Sequence, residues 1–365
     1  MQKSHAQVGR RSGVSQAQVR RWSGPLKTPG SPETLASRDL RGFNSCHVSD
    51  FTAEDLAPHM SPTYNDPEIA PGATPERAAA DAVFDVLRPA RVTTPVVFAS
   101  PHSGRRYPSG FLASSGLDDK AIRRSEDAFI DEIFACVTDF GAPLLRAHFP
   151  RAYVDANREP FELDPAMFAG PLPDWVNTTS PRVAAGLGTV AKIVAGGAEI
   201  YAGPLDFDEV SARIRTCYDP YHDALRGLID DAVTSFGCCL LIDCHSMPSM
   251  IPVGHQTQAD IVLGDCHGST CARDVSLSAE RTLHNLGLNV TRNKPYAGGF
   301  TTRNYARTLD GVQTLQIEIN LALYMDESTI RPNAGYARLT ERMRILVAHL
   351  TSLDPSVLAP AWAAE

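Results

Sequence analysis

The sequence predicts a three-layer α/β sandwich built on a mixed, largely parallel sheet. Short, almost wholly apolar runs, such as residues 96–99 and 238–242, have the length of strands and carry apolar residues for both faces of a sheet. Longer segments between them, such as residues 206–236, repeat their apolar residues at helical spacing. Strands that alternate with helices in this way form a sheet that helices cover on both sides.

The first half of the chain supplies the elements around the earliest apolar strand. In order, we predict a helix over 75–88, a strand over 95–100, a helix over 118–140 that ends at Gly141, and strands over 142–147 and 153–156. The stretch 160–204 is rich in Pro and Gly, and it predicts long loops with one helix near 181–195. Long loops of this kind often cover a functional site.

The second half continues the alternation. We predict a helix over 206–236 that ends at Gly237, strands over 238–243, 260–263, 289–292 and 312–320, and helices over 271–286 and 333–350. In open α/β sheets, ligands bind at the carboxyl ends of the strands. Polar residues that interrupt or follow the predicted strands are therefore the first candidates for a functional site.

Composition and charge argue against two classes of partner. No apolar run approaches the ~20 residues that a membrane-spanning helix needs, so we predict no membrane span. The formal net charge of −8 argues against a nucleic-acid partner, because phosphate recognition needs a basic surface. The eight cysteines form no CxxC pair, and Cys238, Cys239 and Cys244 lie in or beside an apolar strand. Buried free thiols indicate a reducing compartment, so we expect a cytoplasmic location.

The first 75 residues differ in character from the remainder. They are rich in Ser, Pro, Gly, Arg and Gln, and up to Arg41 they hold eight Lys and Arg against two Asp and Glu. Such a segment buries too little apolar surface to offset its ordering entropy. We therefore predict a disordered extension over 1–75 and one globular domain over 76–365. A transit-type leader, or upstream sequence before a true start at Met60, would have the same composition.

Three polar residues interrupt or end the predicted strands: His102 in VVFASPHSG, His245 in CCLLIDCHSMP and Glu318 in TLQIEIN. Burying an unpaired carboxylate costs several kcal/mol, so Glu318 needs a partner or a chemical task. Either histidine alone would more often be a satisfied core or loop residue. Two histidines at strand ends together with a buried glutamate favour a metal site instead. Asp243 would then either accept a hydrogen bond from a ligand histidine or cap the loop.

The third ligand is expected from the acidic pair that follows Ser125. Glu126 and Asp127 would lie about 100° apart on a helix, so only one of them can face the loop that carries His102. Asp127 is favoured, and Glu126 remains the alternative. Two histidines and one carboxylate leave a coordination position open for water, which distinguishes catalytic zinc sites from closed structural ones.

A further group of residues suits an anionic substrate. Asn157 and Arg158 in YVDANR could together grip a carboxylate, because the guanidinium offers a planar fork of donors. Arg303 lies beyond the pair Gly298 and Gly299, which would let the backbone approach a ligand closely. A surface salt bridge is the alternative role for either arginine.

Seven segments from residue 95 to the C-terminal helix resemble the N-formylglutamate amidohydrolase family, which is similar in fold to the zinc carboxypeptidases and aspartoacylases. The segments are SPHSGRRYP, RSEDAFIDEIF, YVDANREP, PYHDAL, DCHSMP, GGFTTRNYA and LQIEIN. The resemblance implies a zinc-carboxypeptidase-like sandwich in which 76–365 is the catalytic domain. It also implies that His102, Asp127 and His245 bind zinc.

The resemblance also implies roles for other residues and a reaction. Glu318 would act as general base beside the metal, and Arg158 would anchor a substrate carboxylate. The implied reaction is hydrolysis of the amide bond of an N-acyl amino acid, with N-formyl-L-glutamate giving formate and L-glutamate as the leading case. Two alternatives stay open: another N-acyl amino acid or peptide-like amide as substrate, and a noncatalytic relative that has lost its metal.

Overall fold

A computed structural model of the protein describes residues 82–249 and 259–359. Its centre is a seven-stranded mixed sheet. The strands are β1 (Phe84–Leu87), β2 (Val96–Ser100), β3 (Leu144–Ala147), β4 (Cys239–Met247), β5 (Ile261–Gly264), β6 (Val290–Arg292) and β7 (Val312–Asn320). Their order is β1-β3-β2-β4-β7-β5-β6, with β1–β3 and β5–β7 antiparallel and the other neighbours parallel. A separate two-stranded ribbon pairs β8 (Met325–Asp326) with β9 (Arg331–Pro332).

Helices occupy both faces of the sheet. The α-helices are α1 (Ser109–Ser114), α2 (Ile130–Ile133), α3 (Pro181–Ala184), α4 (Phe207–Arg213), α5 (Asp219–Phe236), α6 (Arg273–Asn285), α7 (Phe300–Tyr305) and α8 (Tyr336–Thr351). Short 3-10 helices span Ala121–Ser125, Ala135–Phe140, Pro165–Met167, Cys266–Gly268, Thr308–Asp310, Leu321–Leu323 and Pro355–Val357. None of the helices within the described ranges is long and apolar enough to cross a membrane.

The two faces of the sheet bury separate apolar layers. On one face, Val96 and Phe98 of β2 belong to a core that includes residues of α2, α6 and α8. On the other, Val97 and Ala99 of the same strand belong to a core with α4 and α5. Side chains alternate between faces along a strand, so a strand covered on both sides has to be apolar throughout. The predicted three-layer sandwich with a mixed, largely parallel sheet is confirmed.

The longest predicted helix is also confirmed. A π-helical turn, Ile214–Tyr218, joins α4 to α5, so the helical path runs unbroken from residue 207 to residue 236. It begins at Asp206, whose carboxylate accepts hydrogen bonds from the amides of Asp208 and Glu209. It ends at Gly237, which has φ of 75° and tolerates this left-handed conformation because it lacks a Cβ.

The parallel centre of the sheet sets the place of the site. β4 lies between β2 and β7 and runs parallel to both, so the carboxyl ends of the three strands meet at one edge. The register of β4 and β7 places His245 opposite Glu318, and Asp243 opposite Gln316. Residues two apart on a strand point the same way, so these four side chains share one face of the sheet.

Two predicted helices are wrong in the described residues. Within 75–88, residues 84–87 form β1, which pairs with β3 at the edge of the sheet. The segment 118–140 is broken between residues 126 and 129, where Phe129 takes φ of 67°. The break has a tertiary cause: the amide of Asp127 donates to the carbonyl of His102, at 3.0 Å, instead of to a helical partner. The predicted stop at Gly141 is correct, with φ of 76°.

Two further predictions fail around the long loops. Residues 153–156 form a turn instead of a strand, and the amide of Asp155 donates to the carbonyl of Thr189. The helix expected near 181–195 is limited to α3, because the chain then turns at Gly186 and passes close to another segment at Gly188. A Cβ on Gly188 would lie 2.1 Å from the carbonyl oxygen of Glu162. The predicted extension over 1–75 lies outside the described residues, and its boundary remains a prediction.

Candidate metal centre

The three side chains predicted as metal ligands converge on one point. Asp127 Oδ2 lies 2.9 Å from His245 Nδ1 and 3.3 Å from His102 Nδ1. One ligand atom from each residue lies within 4.8 Å of the other two, and all three residues are buried. Of these three candidate ligands, His102 lies in the loop after β2, Asp127 in the break at 126–129 and His245 on β4.

Local hydrogen bonds hold Asp127 in this orientation. The amide of Asp127 donates to the carbonyl of His102, and the hydroxyl of Ser103 donates to the carbonyl of Asp127 at 3.0 Å. The hydroxyl of Ser246, next to His245 on β4, donates to Asp127 Oδ1 at 3.1 Å. One carboxylate oxygen is therefore fixed by the protein, and Oδ2 faces the two imidazoles.

Glu126, the alternative third ligand, points elsewhere. Its carboxylate accepts two hydrogen bonds from Arg123, at 2.8 and 2.9 Å, and one from the hydroxyl of Tyr107 at 2.7 Å. Both oxygens are thus occupied by a structural network, and the structure brings Asp127, not Glu126, to the histidines.

A carboxylate fixes the outer nitrogen of each imidazole. His102 Nε2 lies 2.7 Å from Asp155 Oδ1, and His245 Nε2 lies 2.9 Å from Asp243 Oδ2. A carboxylate accepts hydrogen bonds, so each Nε2 carries a proton that it donates to its acidic partner, and each Nδ1 faces Asp127. This pattern, with an acidic residue behind each ligand histidine, is the usual support of a protein-bound metal.

The residues at this centre fit a metal ion. Two imidazole nitrogens and a carboxylate oxygen face one another here, and all three can bind a cation once both nitrogens are deprotonated. His102 Nδ1 is buried and makes no hydrogen bond to any residue in the described ranges. A donor set of two nitrogens and one oxygen also leaves a coordination position open, as catalytic zinc sites require.

The electrostatics of the centre favour positive charge. Burial alone would lower the pKa of His245, but Asp243 and Asp127 outweigh it and raise the pKa well above its ordinary value. Burial would raise the pKa of Asp127, yet its contacts with His102 and His245 hold that pKa below the usual range. The carboxylates around His245 therefore stabilise positive charge at this centre.

Glu318 lies beside this centre on the neighbouring strand. It is 7% exposed, and its Oε1 accepts a hydrogen bond from Gln316 Nε2 at 2.7 Å. Burial raises the pKa of Glu318 to about 8, with nearby Asp127 adding to the increase and His245 opposing it. A carboxyl group with such a pKa can both accept and release a proton near neutral pH.

Asn157 lies within the centre. Its Nδ2 is 2.9 Å from His245 Nε2 and 3.3 Å from Asp243 Oδ2, while its Oδ1 accepts from the amide of Thr301 at 2.8 Å. This close approach depends on Gly299, since a Cβ there would lie 2.3 Å from Asn157 Nδ2. The absence of a side chain at Gly299 therefore makes room for the side chain of Asn157.

The two predicted arginine anchors have different surroundings. Arg158 adjoins the centre: its Nε lies 3.7 Å from Asp155 Oδ2, but Nε and Nη1 also donate to the carbonyls of Leu187 and Asn157, each at 2.8 Å. Arg303 is exposed, and its Nη1 donates to the carbonyl of Gly298 at 2.9 Å. Their roles in substrate binding remain predictions.

Two residues of the centre were missed by sequence reasoning. Asp155, in the YVDANR segment, is 2% exposed and accepts from His102, from the amide of Asn157 and from Arg151. An acidic residue between Val154 and Ala156, both apolar, was the available signal. Arg151 left none, because a lone arginine in a turn has no distinctive pattern.

Comparison with known proteins gives a consistent result. A model of the N-formylglutamate amidohydrolase family matches residues 94–325. The chain is 26% identical over 271 residues to the N-formylglutamate deformylase of Pseudomonas aeruginosa, covering 73% of this chain and 94% of that protein. It is also 26% identical over 242 residues to the N-formylglutamate deformylase of Pseudomonas putida, covering 64% and 83%.

A solved structure extends the match. The N-formylglutamate amidohydrolase from Ralstonia eutropha superposes with a TM-score of 0.70 at 34% identity, covering 74% of this chain and 97% of that one. The matched span contains the three converging side chains and Glu318. The resemblance drawn from the sequence segments is confirmed, and this chain is an amidohydrolase that belongs to the N-formylglutamate amidohydrolase family.

Proposed function

We propose that this protein hydrolyses the amide bond of an N-acyl amino acid, using zinc held by His102, Asp127 and His245. The leading substrate is N-formyl-L-glutamate, with formate and L-glutamate as products. The convergence of these three buried donors beside Glu318 carries the proposal. The names of two curated relatives, both N-formylglutamate deformylases, support the substrate.

The donor set is compatible with zinc. Imidazole nitrogens and a carboxylate suit zinc, although other first-row divalent metals accept the same ligands. When bound, such a metal supplies Lewis acidity, which acidifies water and polarises a carbonyl group. Asp155 and Asp243 contribute by holding the two imidazole rings in the orientation that binding requires.

Glu318 is proposed as the residue that moves the proton. Its carboxyl lies on β7 opposite His245, so it is adjacent to the centre without being needed as a ligand. A bound cation would oppose the burial that raises its pKa, which favours the ionised form that can accept a proton from water. The same group can then deliver that proton to the amine that leaves.

One experiment tests the metal and the substrate together. Zinc content and release of formate from N-formyl-L-glutamate are measured for the wild type, His245→Ala and Glu318→Gln. We expect about one zinc per chain in the wild type, loss of zinc and turnover in His245→Ala, and zinc without most of the turnover in Glu318→Gln. Full activity in Glu318→Gln would show that Glu318 is not the general base.

The identity of the substrate needs a panel. Release of the free amine is compared for N-formyl, N-acetyl and longer N-acyl derivatives of glutamate, aspartate, glutamine and histidine. N-formyl-L-glutamate should give the highest kcat/KM. A higher value for a different N-acyl amino acid would replace the substrate and keep the amidohydrolase mechanism.

A further inference from the structure

Arg151 connects the buried centre to the solvent. Its Nε donates to Asp155 Oδ2 at 2.9 Å, and Asp155 Oδ1 in turn lies 2.7 Å from His102 Nε2. Asp155 is buried, yet the Arg151 side chain remains 25% exposed. The guanidinium therefore stands one carboxylate away from a proposed metal ligand and is still reachable by a molecule that enters from outside.

The free end of the guanidinium has the geometry that a carboxylate requires. Only Nε is used by Asp155, and neither Nη1 nor Nη2 donates a hydrogen bond to a residue within 82–249 or 259–359. Two parallel N–H groups on a planar fork match the two oxygens of a carboxylate. The hydrogen bond from Nε to Asp155 fixes the plane of the guanidinium group. The group therefore loses little orientational freedom when a ligand binds.

Two guanidinium groups share one carboxylate beside the centre. Asp155 faces both Arg151 and Arg158. Arg158 donates Nε and Nη1 to the carbonyls of Leu187 and Asn157, whereas both Nη groups of Arg151 make no hydrogen bond to a residue that the structure describes. Burial would lower the pKa of Arg151, but Asp155, Asp127 and Glu318 raise it, as expected for a guanidinium that faces this centre.

We propose that Arg151 binds a carboxylate group of the substrate and thereby selects N-acyl amino acids over neutral N-acyl amines. The inference rests on the proposed function and adds the residue that recognises the substrate. It assigns to Arg151 the task that the sequence suggested for Arg158 and Arg303, because its fork is the one that is both oriented by the centre and free at its end.

The test compares acids with their amides in wild type and Arg151→Gln. Hydrolysis is measured for N-formyl-L-glutamate and for its two monoamides, in which either the α- or the side-chain carboxylate is blocked. In the wild type, blocking the recognised carboxylate should lower kcat/KM about 100-fold, the size expected for a charge-assisted pair. In Arg151→Gln, kcat/KM for N-formyl-L-glutamate should fall by about the same factor. For the amide that lacks the recognised carboxylate, kcat/KM should fall no more than about threefold.

Binding of L-glutamate, measured by calorimetry, makes the test independent of turnover. A wild type that binds L-glutamate through Arg151 but hydrolyses nothing would overturn the proposed function and keep this inference. If the wild type hydrolyses N-formyl-L-glutamate and Arg151→Gln keeps the full preference for the acid over the amide, the proposed function stands and the role of Arg151 is wrong. A wild type that neither binds nor hydrolyses would overturn both.

The zinc content of Arg151→Gln shows whether Arg151 recognises the substrate or only holds Asp155 in place. If Arg151→Gln loses zinc and loses activity equally on acids and amides, Arg151 acts only through Asp155 and the proposal is wrong. Arg151→Lys keeps the charge without the fork and should recover part of the acid preference. Arg344→Gln is the matched control, since Arg344 lies on α8, is 42% exposed and pairs with Asp139; its kinetics should equal those of the wild type.

Discussion

Asp155 joins three functional groups through one carboxylate. It accepts from His102 Nε2 and the amide of Asn157 on one oxygen and from Arg151 on the other. A buried carboxylate is stable only when such partners compensate for lost hydration, and here each partner belongs to the site. At the scale of single residues, the sequence named the three side chains that converge, but it did not name the carboxylate that hydrogen-bonds to His102.

Asp155→Asn should weaken metal binding without unfolding the protein. An amide keeps the size of the side chain but is a poorer acceptor for His102 Nε2–H, so the imidazole loses its preferred tautomer. We expect zinc affinity to fall about 10- to 100-fold, measured by competition with a chelator. Asp85→Asn, in a half-exposed pair with Arg146, is the control and should leave affinity unchanged. Equal affinities for Asp155→Asn and wild type would contradict this role.

The elements that carry the ligands depend on close approaches of backbone. The loop after β2 passes so near to residue 149 that a Cβ on Gly104 would lie 2.0 Å from the carbonyl oxygen of Phe149. Neither this contact nor the break in the predicted helix 118–140 leaves a periodic pattern in the sequence that would predict it. Both depend on segments far apart in the chain, such as the hydrogen bond from the amide of Asp127 to His102.

Gly104→Ala should therefore displace the loop that holds His102. Because the clash is with backbone, which cannot rotate away, we expect a loss of about 1–3 kcal/mol in the free energy of unfolding and weaker zinc binding. Urea denaturation and chelator competition measure the two effects. Gly110→Ala is the matched control: Gly110 lies in α1 with nothing within 4 Å of its added Cβ, and alanine favours a helix there. A Gly104→Ala protein as stable as the control would show that the loop adapts freely.

At the scale of the whole molecule, His222 ties three parts of the fold together. It lies on α5, its Nε2 is 2.9 Å from the carbonyl of Ala156, and its Nδ1 is 2.7 Å from the hydroxyl of Tyr305 on α7. The carbonyl can only accept, so Nε2 carries the proton and Nδ1 accepts from the tyrosine. The neutral imidazole thus anchors the turn that bears Asp155 and Asn157 to two helices.

This neutral form makes stability depend on pH. Burial lowers the pKa of His222 to about 4, below its unfolded value of 6.5. Since the folded pKa is the lower one, its contribution is complete above pH 6.5 and decreases as the pH falls toward 4. The loss should reach at most about 3 kcal/mol.

Urea denaturation of chelator-treated protein at several pH values between 4 and 7 checks this dependence. His222→Gln, which cannot titrate, should show a shallower decrease in stability over that range than the wild type. Parallel curves for the two proteins would assign the acid sensitivity to other groups.

The sequence by itself determined the layers of this protein and the chemical types at its site. Apolar runs long enough for strands, the helical spacing of 206–236 and its end at Gly237 are local patterns, and local physics sets them. The ends of β2 and β4 and the interior of β7 likewise marked His102, His245 and Glu318. Only the tertiary structure showed that Asp127, and not Glu126, lies beside the two histidines, and only it placed Asp155 and Arg151 there. These positions depend on hydrogen bonds between segments that are far apart in the chain. Such contacts leave no periodic pattern in the sequence.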